Sequence, residues 1–102
     1  MTNWRIFAAV TLAAACTPAV AQSGDGATGR SLASACAICH GTEGRSAGGL
    51  ESLAGTPKAD MLRKLGEFKS GARPATIMHQ ISKGYSERDI ALLADFFAAQ
   101  KK

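Results

Sequence analysis

The sequence predicts an all-α fold of about four short helices. Three observations carry that prediction. Apolar residues recur at spacings of three and four in separate segments. Proline, glycine and small capping residues stand where those segments would begin and end. No stretch alternates apolar and polar residues as a half-buried strand would.

The chain has 102 residues, with 46% hydrophobic, 20% charged and 6% aromatic residues, which is ordinary for a globular domain. Its first 21 residues read as an address. One positive charge (Arg5) precedes the apolar run 6–16, and Ala19-Val20-Ala21 offers small residues for cleavage. An 11-residue apolar run is too short to span a bilayer, which needs about 20. A lipid-attachment reading at Cys16 is weaker, because Ala rather than Leu stands three residues before it. Residues 1–21 are therefore expected to be a signal peptide, and 22–102 one exported, periplasmic domain with no membrane span.

That domain keeps 11 Lys+Arg against 8 Asp+Glu, a formal charge of +3, and two cysteines, Cys36 and Cys39. Basic residues alternate with acidic ones, so no nucleic-acid-binding face is expected. So short a domain, rich in Ala and Gly, is expected to complete its core with something other than protein.

The elements follow in order. Residues 22–27, Gly-rich and polar, read as a flexible start. A helix is expected over 28–39, with Leu32, Ala35, Cys36 and Cys39 on one face. Four glycines between 41 and 49 make a loop that runs to about Gly55. Thr56 and Pro57 suit the cap and first position of a second helix. Its stripe is Met61, Leu62, Leu65 and Phe68, and Gly71 ends it in the left-handed conformation. Pro74 opens a short segment over 75–83 containing Ile77, Met78 and Ile81, and Gly84 breaks it. Ser86 caps the last helix, with Glu87 and Asp89 in its first turn. Ile90, Leu93, Ala94 and Phe97 form its stripe, widened by Leu92 and Phe96. Lys101 and Lys102 suit the negative end of its dipole.

Cys36-Ala37-Ile38-Cys39-His40 is a C-x-x-C-H motif, the attachment pattern of a c-type haem. Residues i and i+3 share one side of a helical turn. Two thiols so placed reach two porphyrin vinyl groups, and the adjacent His40 lies under the iron. The other chemistries of C-x-x-C fit less well. A thioredoxin-type pair needs a βαβ scaffold. A zinc site needs four ligands, which His40 and His79 barely complete. A plain disulfide between Cys36 and Cys39 is the remaining alternative.

An electron-carrying haem commonly takes Met as its second axial ligand. Met61 belongs to the helical stripe and reads as core. Met78 lies in the short segment after Pro74, 38 residues beyond His40, far enough to pass the haem edge and return. Met78 is the expected distal ligand. His79 competes, and is read instead as solvent- or partner-facing. Leu53, Leu65, Phe68, Ile77, Ile81, Leu93 and Phe97 are candidates for the haem wall or for plain helix packing. Arg45, Arg73, Lys83 and Tyr85 are candidates for the propionates or for the solvated surface. His40 is expected to be oriented by a backbone carbonyl in the loop 48–54.

The stretch 36–44 (CAICHGTEG) resembles the haem-binding segment of c4-like class I c-type cytochromes. Phe68-Lys69-Ser70-Gly71, Thr76-Ile77-Met78 and Lys83-Gly84-Tyr85-Ser86 resemble the cytochrome subunit of flavocytochrome c sulfide dehydrogenase. The resemblance covers about 28–100. It implies the class I cytochrome c fold around one covalent haem c, with iron held by His40 and Met78. It also implies a partner, an FAD-containing flavoprotein that oxidises sulfide and passes on electrons. The chain departs from that family in having one C-x-x-C-H where better-known members have two haem domains. It also has Glu51 where a Pro commonly stands before the Ser52-Leu53-Ala54 stretch. Two other functions remain open at this stage. One is a free periplasmic shuttle serving an oxidase or other redox proteins. The other is a haem enzyme or gas sensor with an open iron position.

Overall fold

A computed structural model describes residues 24–102. The expected signal peptide lies outside them. Four α-helices make up the fold, and no strand occurs among the described residues. They are α1 (Asp25–His40), α2 (Lys58–Ser70), α3 (Ile77–Lys83) and α4 (Glu87–Ala98), with a 3₁₀ turn at Thr42–Gly44.

Helix α1 starts three residues before the expected position and takes in residues 25–27 of the segment read as flexible. Gly24 is extended and its carbonyl accepts from the Ala27 and Thr28 amides. Asp25 sits in the positive first turn and pairs with Arg88 at the start of α4, 2.8 Å away. Tertiary contact thus overrides the low helix propensity of glycine. The buried face also differs from the expected one. Gly29 and Ala33 are buried, Leu32 and Cys36 half-buried, while Ala35 and Cys39 are exposed. Gly29 sets this rotation: a Cβ there would lie 2.9 Å from the Leu92 carbonyl oxygen, so α1 and α4 touch backbone to backbone.

Helix α2 begins one residue later than Thr56–Pro57 suggested. Pro57 is still extended (φ −55°, ψ 141°), its carbonyl accepts from the Met61 amide, and no side chain caps the end. Gly71 closes the helix at φ +85°, as expected of a left-handed cap. Helix α3 runs seven residues and stops at Gly84, whose N–H donates to the Ile81 carbonyl, while the Tyr85 N–H donates to that of Ser82. Helix α4 matches its prediction closely. Ser86 Oγ accepts from the Asp89 amide at 3.1 Å, and Asp89 Oδ2 accepts from the Ser86 amide at 2.9 Å. The helix ends at Ala98, so Lys101 and Lys102 lie beyond it, where the Lys101 carbonyl accepts from Arg45.

The core is one cluster of Ala33, Met61, Leu65, Ile90, Leu93, Ala94 and Phe97. All four expected stripe positions of α4 belong to it, and Met61 is a core residue as read. Helix α4 is the hub, packed on α1 and on α2, while α3 packs on α2. Lys69 Nζ bonds the Tyr85 carbonyl at 2.6 Å and ties α2 to the turn before α4.

Candidate metal centre

The Cys-x-x-Cys-His segment forms the last turn of α1. Both cysteines are free thiols, Cys36 half-buried and Cys39 exposed. Burial pushes the Cys36 thiol above its ordinary pKa, against a smaller lowering by a backbone hydrogen bond. Ile38, between them, is 85% exposed.

The chain turns sharply after His40. Gly41 has φ +87°, and a Cβ there would lie 1.9 Å from the Arg45 carbonyl oxygen, so glycine is required. Gly44, at φ +82°, is buried under Phe97, and its carbonyl accepts from the Leu53 and Ala54 amides at 2.7 and 3.1 Å. Between them Glu43 takes φ +54°, unusual for a residue with a side chain. Arg45 at 2.7 Å and Arg30 at 3.6 Å pair with its carboxylate. Arg45, chiefly, holds that carboxyl below the usual range.

These turns return the loop over His40, and His40 Nδ1 lies 2.6 Å from the Glu51 carbonyl oxygen. This is the backbone partner expected from the loop 48–54. A carbonyl only accepts, so Nδ1 carries the proton and donates it. In the neutral imidazole Nε2 then keeps its lone pair and is the nitrogen free to ligate a metal. The Glu51 carboxylate is anchored by Lys64 at 2.5 Å. The missing proline at this position leaves the carbonyl contact intact.

Met78 is half-buried and packs at the rim of the core with Cys36, Leu53 and Tyr85. Cys36 and Met78, 42 positions apart in the sequence, each pack against this one cluster. His79 turns elsewhere. Its Nδ1 lies 2.7 Å from the Phe68 carbonyl and donates to it, near the end of α2. The expectation of a solvent-facing His79 is corrected: it is half-buried, because an end-of-helix carbonyl needs a donor.

The expected wall divides. Leu65, Leu93 and Phe97 are buried, Leu53 is at the core rim, and Phe68 lies half-buried against the Arg73 guanidinium. Ile77 and Ile81 point outward, 64% and 39% exposed. Of the propionate candidates, Arg45 is engaged by Glu43 and Arg73 by Glu67 at 2.8 Å. Lys83 is exposed, without an ion-pair partner among the described residues. Tyr85 is half-buried, and burial first, then Cys36 and Asp89, push its phenol up. Sequence reasoning missed Gly29 and Ala33 on α1, and Ser82, buried on α3. The 29-33-36-40 spacing was the available signal for the first two.

Two thiols on one turn, an imidazole with a free Nε2 and a thioether at the core rim form a donor set that fits a c-type haem. No group of three or more His, Cys, Asp or Glu side chains converges among the described residues, which leaves a tetrahedral zinc site without its ligands.

Comparison with known proteins finds several relatives. The chain is 36% identical over 74 residues to the cytochrome subunit of sulfide dehydrogenase from Chlorobaculum tepidum, spanning 72% of this chain and 67% of that one. It is 35% identical over 80 residues to cytochrome c4 from Pseudomonas aeruginosa, spanning 78% of this chain and 40% of that one. It is 38% identical over 64 residues to the thiosulfate dehydrogenase electron acceptor of Stutzerimonas stutzeri, 61% of this chain and 30% of that one. The chain thus covers about two fifths or less of the latter two proteins. No family-level sequence profile matches it.

Proposed function

The chain belongs to the c4-like class I c-type cytochromes, electron carriers that bind haem c, and from that premise we propose a specific carrier. It holds one covalent haem, with Cys36 and Cys39 as the thioether links and His40 and Met78 as the axial ligands. The observation that carries this reading is the 2.6 Å contact from His40 Nδ1 to the Glu51 carbonyl. It orients the imidazole immediately after the two thiols and leaves Nε2 as the ligating atom.

When bound, the haem supplies a one-electron iron couple. The protein's own part is ligation, orientation and exclusion. Helix α1 presents both thiols and the imidazole from one turn. Helix α3 presents Met78 from the core rim, and a Met/His pair raises the reduction potential. With both His40 and Met78 holding the iron, no coordination site would be left for oxygen or a substrate, and the chemistry supplied would be transfer of one electron. An open-iron enzyme or sensor requires Met78 to stay unbound.

The proposed setting is the periplasm, after removal of residues 1–21. The proposed donor is a flavoprotein dehydrogenase subunit that oxidises sulfide. The relative whose name includes sulfide dehydrogenase supports this, being matched over most of its length. The name of the thiosulfate dehydrogenase electron acceptor supports the broader expectation of a dehydrogenase partner. Purification of the native protein from its periplasmic fraction tests the setting. The expected result is a flavin-containing subunit that co-elutes and reduces the haem when sulfide is added. A cytochrome that elutes alone and is reduced equally by unrelated donors contradicts it and identifies a free shuttle.

A further inference from the structure

Helix α3 carries two stripes. Ile77 and Ile81, one turn apart, point outward. Met78 and Ser82, also one turn apart, are the inward pair: Met78 half-buried at the core rim, Ser82 0% exposed. Ser82 is the one buried polar side chain among the described residues, and its Oγ meets no hydrogen-bond partner among them.

This is an expensive arrangement. A helical serine ordinarily folds its hydroxyl back onto the carbonyl four residues earlier. Here that carbonyl belongs to Met78, and the bond is not made. A buried hydroxyl left unpaired destabilises the fold, and an alanine would fill nearly the same volume without that penalty. The hydroxyl therefore needs a partner in the working protein. One turn back on the same stripe stands the Met78 thioether. Its sulfur is a weak acceptor with two lone pairs. Ligation uses one of them, and the other remains for a donor.

We propose that Ser82 is a positioning residue for Met78: in the haem-loaded protein its hydroxyl donates to the Met78 thioether. The inference rests on Met78 being the second axial ligand. Such a bond has two effects. It fixes which lone pair faces the iron, and so the orientation of the thioether methyl. It also draws electron density from the sulfur, which disfavours the ferric state and raises the potential.

The test uses the haem-loaded protein and its Ser82→Ala and Ser82→Cys variants. Cysteine is nearly isosteric and a weaker donor. Three quantities are measured: the midpoint potential, the ferric-state NMR position of the Met78 methyl, and the urea unfolding midpoint. The expected result is a lower potential and a displaced or averaged methyl resonance in Ser82→Ala, with Ser82→Cys between it and the parent. An unchanged potential and resonance in Ser82→Ala overturn the inference, whether or not the unfolding midpoint rises. A changed potential with an unmoved methyl resonance also overturns it, assigning the effect to local solvent or packing. Should Ser82→Ala fail to fold, Ser82→Cys decides: a lowered potential supports the inference and a parental one overturns it. Absence of a thioether–iron charge-transfer band in the parent protein overturns the ligation reading itself, and the inference with it.

Discussion

The His40–Glu51 contact gives the two nitrogens of one imidazole different tasks. Nδ1 is committed to a carbonyl 2.6 Å away, so Nε2 is the atom left for a metal. Met78 and His79 divide in a similar way, one at the core rim and one against the Phe68 carbonyl. Two predictions separate them. Met78→Ala lowers the reduction potential and opens the iron to added ligands such as cyanide or imidazole, read by spectroelectrochemistry and ligand titration. His79→Ala leaves the potential close to the parent value and costs about 1 kcal/mol in urea unfolding, the worth of one hydrogen bond. Acid stability also belongs to this scale. Side-chain bonds from Arg45 to Glu43 and from Arg73 to Glu67 hold those carboxyls below their ordinary 4.5. Hydrogen bonds to Ser86 hold Asp89 below 3.8. A depressed carboxyl stabilises the fold fully above its unfolded pKa and loses that contribution as pH falls through the folded one. The thermal midpoint is therefore expected to be flat from neutrality to about pH 5 and to fall progressively below pH 4.5.

At the scale of elements, what was legible depended on how local the signals were. The start and the buried face of helix α4 were readable, since its Ser86 cap, acidic first turn and 90-93-94-97 stripe are written within 12 residues, whereas its end at Ala98, short of Lys101 and Lys102, was not. The C-terminal stop of α2 at Gly71 was readable for the same reason. The C-x-x-C-H turn and the loop carbonyl over His40 were legible as chemistry. The rotation of α1 was not read, because the small Gly29 and Ala33 of its 29-33-36-40 stripe carry a weak apolar signal beside Leu32 and Ala35, and the approach of α4 decides between the two faces. Nor was the outward turn of Ile77 and Ile81, since the packing of α3 on α2 decides which stripe faces in. Gly29 makes the first point testable. A side chain there collides with the Leu92 carbonyl of the facing helix. Gly29→Val is expected to destabilise the protein by about 1–3 kcal/mol, as overpacking of a close contact does, measured by urea unfolding.

At the scale of the whole molecule, the surface carries only a small positive excess. Asp25, Glu43, Glu51, Asp60, Glu67, Glu87 and Asp95 each have a basic partner within 4 Å, and Asp89 is taken up in the cap of α4. Lys83, Lys101 and Lys102 are the cations without an ion pair among the described residues. So small an excess gives little long-range steering, and reduction by a partner is expected to slow by less than about tenfold between low and physiological salt, measured by stopped flow. Everything proposed for the molecule converges on an iron closed by His40 and Met78. The optical spectrum of the oxidised, haem-loaded protein at neutral pH tests that most directly. The account predicts a low-spin ferric spectrum with a weak far-red thioether–iron charge-transfer band that Met78→Ala abolishes. A high-spin spectrum without that band, or a band that survives Met78→Ala, would contradict it.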